Sequence, residues 1–237
     1  MPAKRIVCLA CSTKSEDDIK LHGRCVAGLD TDTGQWVRPV SSLPNGTLSE
    51  AQCRIPRNAL GNLLPTTLDV LEIEFLRPAP KIGQPENWLI SETTWKRLGS
   101  PTPSDLAVLH ANIEDDAELF RGYESSLTHE EVLKRPPLRS LALIRPSDLR
   151  WGKETDYYQR PKVVGHFKVG GQGYNLPLTD PIWKQKLLVK LGDTLLEHRK
   201  CFDHSSKDYL LSLSLGDFFP KTGAHHKLIA GVIELPT

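Results

Sequence analysis

Gly23-Arg24-Cys25-Val26-Ala27-Gly28-Leu29 and, after a short gap, Gln35-Trp36-Val37-Arg38-Pro39-Val40-Ser41 are the two runs whose reading decides the fold. Between them lies Asp30-Thr31-Asp32-Thr33-Gly34, a segment of turn formers. Alternating apolar and polar residues on either side of such a turn predict a β-hairpin. Trp36 and Arg38 are two apart, so on a strand they point to one face of the sheet. A planar aromatic beside a planar cation can stack a base and pair with a phosphate. The alternative is structural: Trp36 in the core, and Arg38 at the surface with its stem packed on the ring.

Working outward, the β pattern recurs on both sides of a less regular middle. Arg5 to Ala10 predicts a first strand, and Ser12 to Leu21 a polar loop. Thr67 to Leu76 alternates, with Leu68, Val70, Glu72 and Glu74 on one face and Leu71, Ile73 and Phe75 on the other, which predicts a strand. Helices are expected over Ser91–Leu98, Ser104–His110, Ile113–Phe120 and from the capping-box spacing Thr128-His129-Glu130-Glu131. After Pro136-Pro137 the β signal resumes at Ser140–Ile144. A second hairpin follows, Lys162–Val169 and Tyr174–Leu178 around Gly170-Gly171-Gln172-Gly173. Asp180-Pro181 opens a helix toward Gly192, Thr194–Lys200 reads as another, and Tyr209–Leu215 and Lys227–Leu235 read as two last strands. The expected fold is mainly β with some α: two OB-like small barrels at 1–90 and 139–237, with a helical insertion at 91–138.

Composition narrows the function classes. At 237 residues, 39% hydrophobic and 25% charged, the chain has the make-up of a globular protein. No apolar run approaches the ~20 residues of a membrane helix, and the N-terminal apolar run is too short for a signal peptide, so a cytoplasmic protein without a membrane partner is expected. The odd count of five cysteines fits reduced thiols. A net charge of +1 excludes a uniformly basic nucleic-acid binder. The charge is nonetheless uneven, with 15 lysines and arginines against 10 acids from Pro136 onward. An acidic stretch, Glu114, Asp115, Asp116, Glu118, Glu124, Glu130 and Glu131, precedes it. That pattern permits phosphate binding without requiring it.

Motifs for chemistry are sparse. Cys8-x-x-Cys11 and His22-x-x-Cys25 have the paired soft-ligand spacing of a zinc site, whereas Cys8 on a core-facing strand argues for simple burial. His198, Cys201 and His204 recur every three residues but run past the expected helix end. No helix begins at the C-x-x-C to activate a thiol. The glycines at 170–173 lack the strand-then-helix setting of a phosphate loop. Asp180, Asp217, Glu86, His225 and His226 supply acids and bases without forming a recognised catalytic signature.

Several blocks in order along the chain resemble the prokaryotic dual OB-containing domain family: Ile6–Ala10, Gly23–Gly28, Trp36–Ser41, Gln84-Pro85-Glu86-Asn87-Trp88, Leu178–Pro181, Leu213–Phe218 and Lys227–Ile233. The resemblance implies two fused OB-like barrels, recognition of nucleic acid or a nucleotide-like ligand, and links to bacterial defence against phage. It carries over no catalytic residue, and Cys11 departs from a position usually polar in the family. The expectation is therefore a binding module rather than an enzyme, without cofactor, that takes single-stranded nucleic acid or a nucleotide, with another defence-system protein as a further partner. Trp36 and Tyr174 would stack bases, Arg24, Arg38 and Lys227 would contact phosphate, and Gln84, Asn87 and Thr179 would make polar contacts, with Asp180 either a ligand contact or a helix cap. The competing expectations are a nucleotide-acting hydrolase or transferase and a protein-interaction subunit.

Overall fold

Strand β1 (Ala3–Thr13) is followed by β2 (Gly23–Asp30), which pairs antiparallel with β3 (Trp36–Val40), Gly28 opposite Val37 and Leu29 opposite Trp36. The expected hairpin is thus present. The computed structural model describes residues 2–13, 23–43, 45–56, 62–155, 160–191, 202–203 and 208–235. The chain divides into two compact units, Met1–Asn112 and Ile113–Thr237.

In the first unit the short strands β4 (Leu48–Ser49), β5 (Ile55–Pro56) and β6 (Asn62–Leu63) precede β7 (Val70–Pro78). Then come β8 (Asn87–Ile90), β9 (Lys96–Gly99) and helix α1 (Pro103–Ala111). The strands run in the order β1-β2-β3-β8-β7, and β7 pairs back onto β1 with Ile6 opposite Leu71, so five strands close into a barrel. Every neighbour in that ring is antiparallel except β3 and β8, which are parallel with Arg38 opposite Asn87. This is the five-stranded barrel of an OB fold. Its interior holds Ile6, Cys8, Val26, Val37, Leu71, Ile73 and Phe75. A Cβ on Gly28 would stand 2.1 Å from the Val7 carbonyl oxygen, so only glycine lets β1 and β2 approach so closely.

The second unit begins with β10 (Ile113–Glu114), β11 (Ser126–Thr128) and α2 (His129–Lys134). There follow β12 (Leu141–Ile144), β13 (Ser147–Thr155), β14 (Pro161–Val169), β15 (Gln172–Pro177) and α3 (Pro181–Leu191). Strands β16 (Phe202–Asp203), β17 (Tyr209–Phe219) and β18 (Ala224–Glu234) complete it. Strands β12 and β13, two residues apart, share out the role of one bent strand: β12 pairs with β17 and β13 with β14. A parallel bridge from Leu178 to Ile229 links the two sheets. The order β12/β13-β14-β15-β18-β17 repeats that of the first barrel in a more open, curled form. Trp151, Val163, Phe167, Leu176, Leu211, Leu213 and Ile229 fill its interior.

Several expectations for the middle are corrected. The stretch Ser91–Leu98 is not a helix, since Lys96–Gly99 forms β9 on the edge of β7. Nor is Ile113–Phe120 helical: Ile113 and Glu114 pair in parallel with Leu143 and Ile144, and Phe120 and Arg121 take positive φ values of 53° and 66°. Side-chain periodicity was outweighed there by pairing to distant strands. The division falls at Asn112/Ile113, inside the segment expected to be a separate insertion, because its strands join the sheets on either side. The capping box at Thr128 is present, its hydroxyl accepting from the Glu131 amide. Thr194–Lys200 lies outside the described residues.

Candidate nucleic-acid or nucleotide site

The parallel β3–β8 contact of the first unit gathers the polar residues singled out in the sequence. Arg38 is 8% exposed and pairs with Glu86, Nη2 to Oε1 at 3.3 Å, while its amide donates to the Glu86 carbonyl at 2.9 Å. The connection from β7 to β8 is drawn tight by reciprocal backbone hydrogen bonds between Lys81 and Gln84. Gln84 accepts from the Asn87 amide at 3.2 Å, and both side chains are buried. Backbone register sets Arg38 directly across from Asn87, and Glu86 precedes it in the chain. In OB folds the face of the second and third strands and the fourth-to-fifth-strand connection are where oligonucleotides lie; here those elements are β2, β3 and residues 79–86.

Two polar atoms here lack a hydrogen-bond partner, Asn87 Oδ1 and Trp36 Nε1. Leaving a buried donor or acceptor unmade costs about 1–3 kcal/mol each. Such groups ask for an explanation, and a ligand is one. Arg24, one strand over on β2, donates to Glu50 at 2.7 Å and is partly exposed. Glu86 is the residue that sequence reasoning undervalued. It entered there as a candidate acid, although its place between Gln84 and Asn87 already put it in the cluster.

The other residues singled out belong to the second unit and are engaged internally. Tyr174 is buried, donates to the Ala117 carbonyl at 2.5 Å and accepts from the Leu119 amide at 3.3 Å. Burial pushes its hydroxyl up from the ordinary tyrosine range. Lys227 is fully buried, donates to the Gly122 carbonyl at 2.6 Å and sits 5.3 Å from the Tyr174 ring centre. Burial pushes its ammonium down to about 8, against the opposing pull of Glu124 and Glu118. Thr179 donates to the Ile229 carbonyl. Asp180 caps α3, accepting from the amides of Ile182 and Trp183, and its second oxygen accepts from Val232. Burial raises its carboxyl despite those three amides.

Of the zinc candidates, Cys8 and Cys11 are buried and Cys25 is half-buried, while His22 lies outside the described residues, as do His198, Cys201 and His204. Cys53, 0% exposed, has its thiol pushed up by burial and by the nearby Cys11. Among the described residues no three His, Cys, Asp or Glu side chains are placed to hold a metal ion. Nor is any helix among them long and apolar enough to cross a membrane.

No curated protein and no solved structure shows significant similarity to the chain. A family model does match, that of the dual OB-containing domain, over residues 4–232. That span takes in both barrels and agrees with the strand order found in each. The chain belongs to the dual OB-containing domain family.

Proposed function

We propose that the chain is a binding module for nucleic acid or a nucleotide, with its first unit holding the ligand where β3 meets β8. The observation that carries this reading is the pair of unpartnered polar atoms, Asn87 Oδ1 and Trp36 Nε1, beside the Arg38–Glu86 pair on the ligand-bearing elements of an OB barrel. Asn87 and Gln84 then meet a base edge or sugar, Arg38 a phosphate, and Trp36 a base. Arg24 stands at the margin of this group. The sequence resemblance to a family linked with bacterial defence supports a place beside an effector acting on invading nucleic acid.

Binding is measured by fluorescence anisotropy on labelled single- and double-stranded DNA and RNA at two salt concentrations, and by thermal shift with free nucleotides. Micromolar or tighter binding that Arg38→Ala and Asn87→Ala each weaken at least tenfold supports the site. A folded wild-type protein that binds neither polynucleotide nor nucleotide overturns it. Affinity that falls with salt marks a polynucleotide ligand, through counterion release; a saturable thermal shift with little salt dependence marks a free nucleotide.

A further inference from the structure

The outward side of the β13–β14–β15 sheet carries a row of side chains that nothing above uses. Its inner side is filled by Trp151, Val163, Phe167, Tyr174 and Leu176, so the residues alternating with them point away from the core. Register sets Arg150 opposite His166, and His166 opposite Asn175. The three thus form one line across three strands, about 10 Å long at the usual strand spacing. Arg150 and Asn175 are exposed and His166 is half-buried. Among the described residues, none of the three side chains is engaged in a hydrogen bond or an ion pair.

Toward Lys168 the row lies open, whereas Val164, next to His166 on the same face, is buried. Gly173 lies opposite Lys168, and nothing stands within 4 Å of where its Cβ would be. Gly152, opposite Val164, leaves room for the His166 ring: a Cβ there would stand 3.0 Å from Nε2. Lys168 stands in the next row on one side, and on the other Lys162 lies beyond the Gly152–Val164–Pro177 row, whose first two residues are buried; each is held by one carboxylate. Lys168 pairs with Asp148 at 2.8 Å, and Lys162 with Glu154 at 3.6 Å. Exposed pairs of this kind are worth only about 0–1 kcal/mol and yield readily to a competing anion. Arg150, opposite Asp203 of β16 in the register, makes no ion pair with the side chains described, and its guanidinium is a planar fork suited to a phosphate.

We propose that this row is a second nucleic-acid contact, which tracks the backbone of a single-stranded polynucleotide. Arg150 pairs with a phosphate, His166 stacks against a base, and Asn175 hydrogen-bonds to a base edge or sugar. The strands that carry the row are the first three of the second barrel, the counterparts of β1, β2 and β3. The inference rests on reading the chain as a nucleic-acid binder, and it narrows the ligand to a strand long enough to lie across a sheet.

The test is anisotropy with labelled oligothymidylate and oligouridylate about 20 nucleotides long, above the usual site size of one OB barrel. Wild type is compared with Arg150→Ala/His166→Ala/Asn175→Ala and with Arg150→Lys, and nucleoside monophosphates are titrated by thermal shift. The triple variant should bind the oligonucleotides at least tenfold more weakly, with the logarithmic salt slope reduced by about one, and mononucleotide binding should be unchanged. Arg150→Lys should recover part of the affinity, since it keeps the charge and loses the fork. A folded triple variant with wild-type affinity and salt slope overturns the proposal. So does a wild-type protein that binds mononucleotides and no oligonucleotide, an outcome that leaves the first-unit site standing. Binding lost in the triple variant but untouched by Arg38→Ala and Asn87→Ala supports this row and removes that site.

Discussion

The two barrels make the same parallel junction with opposite polar logic. In the first, Arg38, Glu86, Gln84 and Asn87 crowd the β3–β8 contact, and Asn87 Oδ1 is left without a partner. In the second, the Leu178–Ile229 bridge is followed directly by Thr179, which hydrogen-bonds to Ile229, and Asp180, whose two oxygens accept three amides. Both junctions bury polar side chains at a cost that only good hydrogen bonding offsets. One is complete and the other is not. A completed junction reads as scaffold, and an incomplete one as a place prepared for something else.

The largest effect should follow from breaking the completed junction. Asp180→Ala removes the cap of α3 and leaves the Val232 amide buried without its acceptor. A lost cap costs about 0.5–2 kcal/mol and a stranded buried donor about 1–3 kcal/mol. Urea unfolding should therefore show a loss of about 2–4 kcal/mol, with oligonucleotide affinity unchanged at temperatures where the variant is folded. A tenfold loss of affinity without destabilisation would reverse the comparison and make Asp180 a ligand contact.

Lys227 sharpens the same contrast through pH. Its folded-state value of about 8 lies below that of an unfolded lysine, so between the two the unfolded chain holds more protons. Stability should then rise as pH rises from about 8 toward the ordinary lysine value, and the charged form should weigh against folding below that window. Lys227→Met should flatten this slope in denaturation curves collected from pH 7.5 to 10, a change on the order of 1–3 kcal/mol at about 1.4 kcal/mol per pKa unit. A slope that persists unchanged in the variant assigns it to another group.

The incomplete junction should respond the other way round. Asn87→Ala removes one hydrogen bond, to Gln84, together with the unpartnered oxygen. The bond contributes about 0.5–1.5 kcal/mol, partly offset by relief of the stranded acceptor. Stability should therefore move by about 1 kcal/mol or less, while ligand affinity falls at least tenfold. Equal losses in both measurements would mean that Asn87 is scaffold like Asp180.

What the sequence revealed follows from where the signal was local. The hairpin around Asp30–Gly34, the alternation through Leu71, Ile73 and Phe75, and the caps at Thr128 and Asp180 are written in neighbouring residues, and all four are present. The strands β9 and β10 were read as helix because each is short and fixed by partners far along the chain, Lys96 by Glu72 and Ile113 by Leu143. The site was legible to a similar degree. Arg38, Gln84 and Asn87 do come together, whereas Tyr174 and Lys227 look like nucleic-acid contacts by residue type and are consumed by the carbonyls of Ala117 and Gly122. Nothing local announces those carbonyls. The Arg150–His166–Asn175 row depends wholly on strand register, which spacing along one strand cannot supply.

The smallest expected effect separates two arginines that the sequence treated alike. Arg24 and Arg38 lie on adjacent strands of one hairpin, yet Arg24 answers to Glu50 near the surface and Arg38 to Glu86 in a buried setting. Removing Arg24 leaves Glu50, 42% exposed, to water, which replaces most of what is lost, so stability changes by about 0–1 kcal/mol. Removing a buried arginine strands its carboxylate and costs far more. Arg24→Ala should therefore shift the urea midpoint slightly and leave affinity within about twofold, while Arg38→Ala should disturb both. A tenfold loss of affinity in Arg24→Ala, at unchanged stability, would carry the ligand path from β3 across to β2 and widen the first-unit site beyond its junction.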